Sequence, residues 1–195
     1  KQVSGDFYDV VPAGNGACLI AIADVAGKGV PAALLSGMLQ ASLRTQANHQ
    51  RSVAAILESI NSLVYRSTSV HQFATFFLAR LEEDTLRLAF SNAGHNHPVV
   101  FRRGGGREML VKGGVVVGIL EDARFEEEEL TLEPGDRLVL YTDGVTEAAN
   151  ARGELFGEDA LYELVSRLPR DLTSEQVTDR ILEGVRTHLA AADAG

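Results

Sequence analysis

The chain has 195 residues, 45% of them hydrophobic, which suits one folded domain with a sizeable core and excludes a disordered segment. Its 18 basic and 27 acidic residues give a net charge of −9 without any basic run, which argues against nucleic acid and membrane surfaces as partners. The single cysteine excludes an internal disulfide, and no signal peptide or membrane-length apolar run is present, so we expect a cytoplasmic domain.

Two apolar, β-rich runs near the start of the chain predict a hairpin. They cover residues 7–13 and 17–23, and the Gly-Asn-Gly sequence centred on Asn15 is a strong turn signal. Asp6 lies nine positions before Asn15, and Asp24 lies nine positions after it. Antiparallel pairing around this turn would bring both carboxylates to the same end of the ribbon, on neighbouring strands.

The segment after the hairpin predicts a pair of amphipathic helices. Pro31 suits a first helical turn, and apolar residues continue with helical spacing from Ala32 to Leu43. Ser52 is a suitable N-cap for a second helix, whose apolar residues keep that spacing as far as Val64.

Six further strand patterns follow, and two amphipathic stretches close the chain. The strands are predicted at 73–81, 85–91, 98–102, 108–112, 126–132 and 137–142, and the helices at 158–168 and 174–189, the second capped by Ser174. Short links between successive strands indicate antiparallel pairing. The order of elements favours a layered α+β domain over a doubly wound parallel sheet.

Three aspartates, Asp6, Asp24 and Asp143, stand at strand ends beside a glycine or a tight turn. Carboxylates that converge raise one another's pKa unless a cation neutralises them, so a hard divalent metal is the simplest explanation of such a cluster. Oxygen ligands favour Mg²⁺ or Mn²⁺ over Zn²⁺, and two such ions can activate a water for attack on phosphorus. Aspartate beside glycine is also common in ordinary turns, so the residues alone leave both interpretations open.

Four motifs in order carry a resemblance to a known family. They are Gly5-Asp6-Phe7-Tyr8-Asp9, Asp24-Val25-Ala26-Gly27-Lys28-Gly29, Asn92-Ala93-Gly94-His95 and Thr142-Asp143-Gly144-Val145-Thr146-Glu147-Ala148. Through them the chain resembles the PPM metal-dependent protein phosphatases, in particular the bacterial SpoIIE-type branch, over nearly its whole length. The resemblance implies an antiparallel β-sandwich flanked by helix pairs. It also implies an enzyme that hydrolyses phosphoserine and phosphothreonine with two Mn²⁺ or Mg²⁺ ions.

The resemblance also implies roles for particular residues and a kind of partner. Asp6, Asp24 and Asp143 would be metal ligands and catalytic residues, with Asp24 bridging the ions and Val25 contributing its backbone carbonyl. The substrate would be a phosphorylated anti-sigma-factor antagonist in a partner-switching pathway. Asp9 has two open interpretations: it orients metal-bound water, or it faces solvent from its strand.

The two ends of the chain depart from a complete protein of this family. The family usually closes with a strand opened by an Asp-Asp pair, of which one member binds metal, whereas this chain stops at Gly195. Asp193 stands in a tail of small residues, so we do not assign that role to it. The chain also begins at Lys1, without a methionine. We therefore expect one catalytic domain, residues 1–195, cut from a longer protein with an upstream regulatory or sensor domain and lacking the final ligand and strand.

Other features have less specific interpretations. His95 and His97 lack a nearby cysteine or carboxylate partner in the sequence, so packing or hydrogen bonding in a turn is favoured over metal binding. The Gly-Lys-Gly sequence around Lys28 lacks the remaining residues of a phosphate-binding loop and is typical of a tight turn. The glycines Gly113-Gly114 and Gly118 predict a flexible loop, which resembles a regulatory loop of the family.

Two rival functions and one regulatory hypothesis complete the sequence analysis. A pseudophosphatase that only binds partners would share the fold, but the retained aspartates argue against it. A hydrolase of small phosphoesters would act on nucleotides and not on phosphoproteins. Because the helix pair over 31–67 follows Asp24 directly, a shift of the first helix would pull on a metal ligand, and we hypothesise that this coupling switches activity.

Overall fold

A computed structural model describes residues 5–50, 52–68 and 72–190 of the chain. The strands in these ranges are β1 (Phe7–Pro12), β2 (Ala17–Val25), β3 (Ala74–Glu82), β4 (Arg87–Ala93), β5 (Val99–Phe101), β6 (Arg107–Met109), β7 (Gly113–Gly114), β8 (Glu128–Thr131) and β9 (Arg137–Val139). The helices are α1 (Val30–Gln46), α2 (Val53–Ser67), α3 (Asp143–Thr146), α4 (Gly157–Arg167) and α5 (Ser174–Ala190). None of these helices combines the length and the apolar character that crossing a bilayer requires.

The predicted hairpin is confirmed. Strands β1 and β2 pair antiparallel, from Phe7 opposite Ala23 to Pro12 opposite Cys18. The turn between them has a positive φ at three successive residues, including 51° at Asn15, which glycine and asparagine adopt more readily than other residues.

The strands are divided between two sheets. The first has the order β1-β2-β3-β4-β7, with β8 also paired to β4, and the second has the order β6-β5-β9. Every pairing between these strands is antiparallel except the two-residue contact of β4 with β7. The sequence did not predict β7 or the short helix α3. Because β4 and β5 belong to different sheets, the segment 94–98 crosses from one sheet to the other.

Three apolar clusters show that the domain has four layers. One lies between the first sheet and helices α1 and α2, with fully buried side chains such as Leu39, Ile56 and Phe76. A second fills the space between the two sheets, and a third joins the second sheet to α4 and α5. The predicted α+β architecture, an antiparallel sandwich flanked by helix pairs, is therefore confirmed.

The helix ends bear out one predicted cap and correct another. The Ser52 hydroxyl accepts a hydrogen bond of 3.2 Å from the Ala55 N–H and caps α2 as expected. Ser174 is instead the first residue of α5, so the cap predicted there is wrong. Thr173 caps that helix by a reciprocal pair, in which its hydroxyl accepts from the Gln176 N–H and its own N–H donates to the Gln176 side chain.

Truncation of Leu39 to alanine tests the packing of α1 on the first sheet. Leu39 is 0% exposed, so Leu39→Ala should lower the free energy of unfolding by about 2–5 kcal/mol through lost burial and a residual cavity. Leu34 lies on the same helix but is 70% exposed, and Leu34→Ala should change stability by no more than about 0.5 kcal/mol. Urea denaturation measures both variants, and equal losses would contradict the orientation of α1 described here.

Candidate metal centre

The hairpin brings Asp6 and Asp24 together. Continuing the β1–β2 register by one step beyond Phe7 and Ala23 places Asp6 opposite Asp24. The two carboxyl groups lie within hydrogen-bonding contact, with Asp24 half-buried and Asp6 exposed. The juxtaposition that the sequence symmetry predicted is therefore present in the structure.

Asp143 approaches this pair from the second sheet. It is the first residue of α3, a few residues beyond β9. Burial raises the pKa of Asp24 to about 6, and the hydrogen bond to Asp6 and the negative charges of Asp6 and Asp143 act in the same direction. Asp24 thus lies close enough to Asp6 and Asp143 for their charges to raise its pKa, and the three aspartates come from both sheets.

Close packing at Gly5 fixes the backbone that carries the carboxylates. A Cβ atom at Gly5 would lie 2.9 Å from the Cβ and 3.0 Å from the carbonyl oxygen of Val25, and 3.3 Å from the Cβ of Ala32 on α1. A side chain at position 5 would therefore push apart the backbones that hold Asp6 and Asp24. This contact gives a physical reason for the glycine in the first motif.

The donors suit a hard divalent cation. In the part of the chain that the structure describes, no three Asp, Glu, His or Cys side chains lie close enough together to enclose one ion. What the structure presents is a touching pair, Asp6 and Asp24, with Asp143 near enough to act on the pair electrostatically. A divalent cation would offset the burial and the neighbouring negative charges that raise the pKa of Asp24, and oxygen donors favour Mg²⁺ or Mn²⁺. Asp193 lies outside the described residues.

Asp9 binds α1 and does not face solvent. Its side chain accepts bonds of 2.8 and 3.0 Å from the Arg44 guanidinium and one of 3.0 Å from the Gln40 amide, and the residue is only 9% exposed. The solvent-facing interpretation is therefore wrong. The contacts of Asp9 join β1 to the helix that follows Asp24, an arrangement that neither sequence alternative included.

His95 lies at the crossing between the sheets, and its hydrogen bonds reach both of them. Its Nδ1 atom lies 2.8 Å from the Thr75 hydroxyl on β3, and its Nε2 atom lies 3.1 Å from the carbonyl oxygen of Tyr141, just beyond β9. Burial lowers the pKa of His95, opposed by the bond to Tyr141 and the charges of Asp6 and Asp143. The predicted hydrogen-bonding role is confirmed for His95, whereas the neighbouring His97 is exposed.

A buried tyrosine pair anchors the chain just before Asp143. The hydroxyl of Tyr141 donates to Glu158 at 2.8 Å and lies 2.7 Å from the hydroxyl of Tyr162, both on α4. Burial raises the pKa of Tyr141, reinforced by its bonds to Tyr162 and Glu158, so the phenol stays protonated. The position of Asp143 therefore depends on α4 as well as on β9.

Glycines 113 and 118 allow close backbone contacts and do not mark a free loop. A Cβ at Gly113 would lie 1.9 Å from the Asn92 carbonyl oxygen, and one at Gly118 would lie 2.6 Å from a methyl group of Val64. The buried Asn61 of α2 holds the same loop, since it accepts from the Gly118 N–H and donates to two carbonyls, those of residues 120 and 121. The sequence analysis missed Asn61, although a polar residue at an apolar helical position was a signal.

The comparisons with known proteins agree with this geometry. The layered sandwich and its similarity to a solved PP2C domain place the chain in the PPM, or PP2C, phosphatase class. Residues 14–194 match the family model described as Stage II sporulation protein E (SpoIIE), so the chain belongs to the SpoIIE family. The resemblance drawn from the four motifs is thereby confirmed.

Similar proteins cover different shares of the chain. Phosphoserine phosphatase RsbU of Bacillus subtilis is 33% identical over 156 residues, which are 80% of this chain and 46% of RsbU. The chain thus spans less than half of that relative. The solved SiaA-PP2C domain of Pseudomonas aeruginosa has a TM-score of 0.77 and 26% identity, covering 98% of this chain and 75% of that one. RsbX in complex with magnesium has a TM-score of 0.65 and 16% identity, covering 96% of this chain and 85% of that one. This similarity supports the fold and nothing further.

The ion pair between the buried Asp9 and the exposed Arg44 predicts a specific response to acid. Arg44 contributes most to holding the pKa of Asp9 below its ordinary value of 3.8, with Gln40 assisting and burial opposing. Since the folded protein binds that proton more weakly than the unfolded chain, the pair stabilises fully above about pH 5. This stabilisation begins to fall near the unfolded pKa of 3.8 and is lost as the pH falls through the lower pKa of the folded protein.

Asp9→Asn should therefore lower stability at neutral pH and lose less stability than the wild type on acidification. Urea denaturation at about pH 6 and about pH 3.5 measures the two slopes. Asp84→Asn, at an exposed turn, serves as the matched control. Identical pH slopes for Asp9→Asn and wild type would show that the ion pair contributes nothing to folding.

Proposed function

We propose that this chain is the catalytic part of a metal-dependent serine/threonine protein phosphatase. The observation that carries the proposal is the contact of Asp6 with Asp24 beside Asp143, in a chain of the SpoIIE family. The similarity to RsbU, named a phosphoserine phosphatase, supports the same reaction. The reaction is hydrolysis of a phosphate ester by water, without a covalent intermediate on the protein.

The proposed roles of the residues are those that the resemblance to the PPM phosphatases implies. Asp24 would bridge two Mn²⁺ or Mg²⁺ ions, Asp6 would be a further ligand, Asp143 would complete the bridging side of the site, and the Val25 carbonyl would add a ligand. Divalent cations bound there supply a water of lowered pKa and positive charge opposite the phosphoryl oxygens. The β1–β2 register keeps Asp6 against Asp24, and the crossing between the sheets brings Asp143 toward them.

For the substrate, we propose a phosphorylated anti-sigma-factor antagonist in a bacterial partner-switching pathway. The similarity to RsbU supports this choice, and the share of RsbU that the chain leaves uncovered has room for further domains. We propose that an upstream regulatory or sensor domain belongs to the whole protein, and that the protein acts in the cytoplasm.

Removal of the bridging charge tests the proposed reaction. Asp24→Asn should reduce Mn²⁺-dependent release of phosphate from a phosphoserine peptide by about 100-fold or more, since the cations would lose a shared ligand. The measurement is phosphate release across a Mn²⁺ titration, on this chain and on a version extended past Gly195. Asp84→Asn, at the opposite end of the first sheet, is the matched control and should behave as the wild type.

Three other outcomes would change the proposal. Turnover that does not depend on metal would contradict the proposed mechanism. Activity on nucleotides without activity on phosphopeptides would favour the small-phosphoester hydrolase. Absence of turnover in the folded, extended protein at millimolar metal would favour a binding module.

We further propose that α1 regulates the metal centre, as its position after Asp24 predicts. Ala32 and Val25 both lie against Gly5, and Leu35 is buried about one turn further along the helix. A change on this face would alter the contact beside both metal-binding carboxylates.

Leu35→Val should therefore shift the Mn²⁺ concentration for half-maximal activity by about five-fold or more. The exposed Leu34→Val is the control, and the conserved-volume change Met38→Leu probes the same buried face. Metal titrations of activity decide the question. An unchanged Mn²⁺ dependence in both buried variants would remove α1 from the regulation of the site.

A further inference from the structure

The two sides of the candidate metal centre belong to different sheets. Asp24 lies on β2 in the first sheet, whereas Asp143 follows β9 of the second sheet. The separation of these carboxylates therefore depends on what joins the sheets beside them. Apolar packing between sheets is not directional, so groups that make directional bonds across the gap would set this separation more sharply.

His95 makes such bonds at positions next to both carboxylates. Thr75, which lies 2.8 Å from Nδ1, is the cross-strand partner of Asp24 in the β2–β3 register. Tyr141, whose carbonyl lies 3.1 Å from Nε2, stands two residues before Asp143. One imidazole therefore connects the strand beside Asp24 to the segment that ends at Asp143.

The bonding partners define the protonation state of the ring. A carbonyl oxygen only accepts hydrogen bonds, so Nε2 must carry the proton that is donated to Tyr141. In the neutral ring Nδ1 then accepts from the Thr75 hydroxyl. His95 is 3% exposed, and loss of either partner would leave a buried polar atom unpaired.

The rest of the motif holds the histidine backbone in place. The Asn92 side chain accepts from the His95 N–H at 2.7 Å and donates to the His95 carbonyl at 3.0 Å. Gly94 has a φ of 70°, and a Cβ there would lie 2.5 Å from a methyl group of Val116. Asparagine, glycine and histidine in this order thus form one unit that presents the imidazole between the sheets.

We propose that His95 is a positioning residue that sets the separation of Asp24 and Asp143, and thereby the affinity of the centre for divalent metal. The proposal rests on the proposed metal-dependent function. His95 would not bind the metal or the substrate, because both of its ring nitrogens are already hydrogen-bonded within the protein. Groups that orient metal ligands in this way typically change metal affinity by about 10–100-fold when removed.

The test compares Mn²⁺ affinity with the stability of the metal-free protein. Isothermal titration of Mn²⁺ into His95→Ala should give a dissociation constant about ten-fold above that of the wild type. Thr75→Val replaces the hydroxyl with a methyl group of similar volume. It should also raise the dissociation constant for Mn²⁺. Combining Thr75→Val with His95→Ala should add little further weakening, since both changes break the same bond. The exposed His97→Ala is the matched control and should bind Mn²⁺ as the wild type does.

A conservative variant separates positioning from general packing. His95→Gln offers an amide N–H that can reach the Tyr141 carbonyl in place of Nε2, so it should recover part of the Mn²⁺ affinity that His95→Ala loses. In the metal-free wild type, ¹⁵N NMR of the imidazole should show the tautomer protonated at Nε2. This second measurement does not depend on metal binding or on any variant folding correctly.

Each contrary result has a distinct meaning. Lower thermal stability of Thr75→Val and His95→Ala with unchanged Mn²⁺ affinity would reduce His95 to a packing residue and overturn the proposal. A tautomer protonated at Nδ1 would also overturn it, because the bond to Tyr141 would be absent. Failure of the wild-type chain to bind Mn²⁺ would instead overturn the proposed metal centre itself, and the positioning role with it.

Discussion

The register of the β1–β2 hairpin is the constraint on which the candidate site depends. It places two carboxylates of like charge opposite each other at one end of a ribbon, an arrangement that is unfavourable without a counter-charge. A slip of one residue would move every side chain of β1 to the other face and separate Asp6 from Asp24. Burial of alternate residues of β1 against α1 opposes such a slip, so folding of the core and assembly of the site are the same event.

The parts of the fold that the sequence could predict are those with local signals. The Gly-Asn-Gly turn and the symmetric spacing of Asp6 and Asp24 identified the hairpin, and apolar periodicity identified the helices. Cross-sheet contacts have no such signal. Neither the bond between His95 and Thr75 nor the ion pair of Asp9 with Arg44 could be read from the chain, because each depends on how distant elements pack.

The glycines also show what the sequence could not predict. A glycine in the sequence indicates either a free turn or a place where two backbones meet, and only the fold distinguishes them. Around Lys28 the glycines form the expected turn, with φ of 101° and 81° at Gly27 and Gly29. At Gly5 and Gly113 the missing side chain instead makes room for a neighbouring strand, which the sequence analysis did not anticipate.

The ion pair between Asp9 and Arg44 has a mechanical consequence. It joins α1 to β1, which lies at the edge of the first sheet among the described strands and pairs there with β2, whereas β2 is paired on both sides. A displacement of α1 would thus act on β1 and on the backbone leading to Asp6. The glycine turn at 27–29 joins the start of the same helix to β2, which ends just after Asp24. The two carboxylates are thus linked to opposite ends of α1, Asp24 through this turn and Asp6 through the contact of Asp9 with Arg44 in the last turn of the helix.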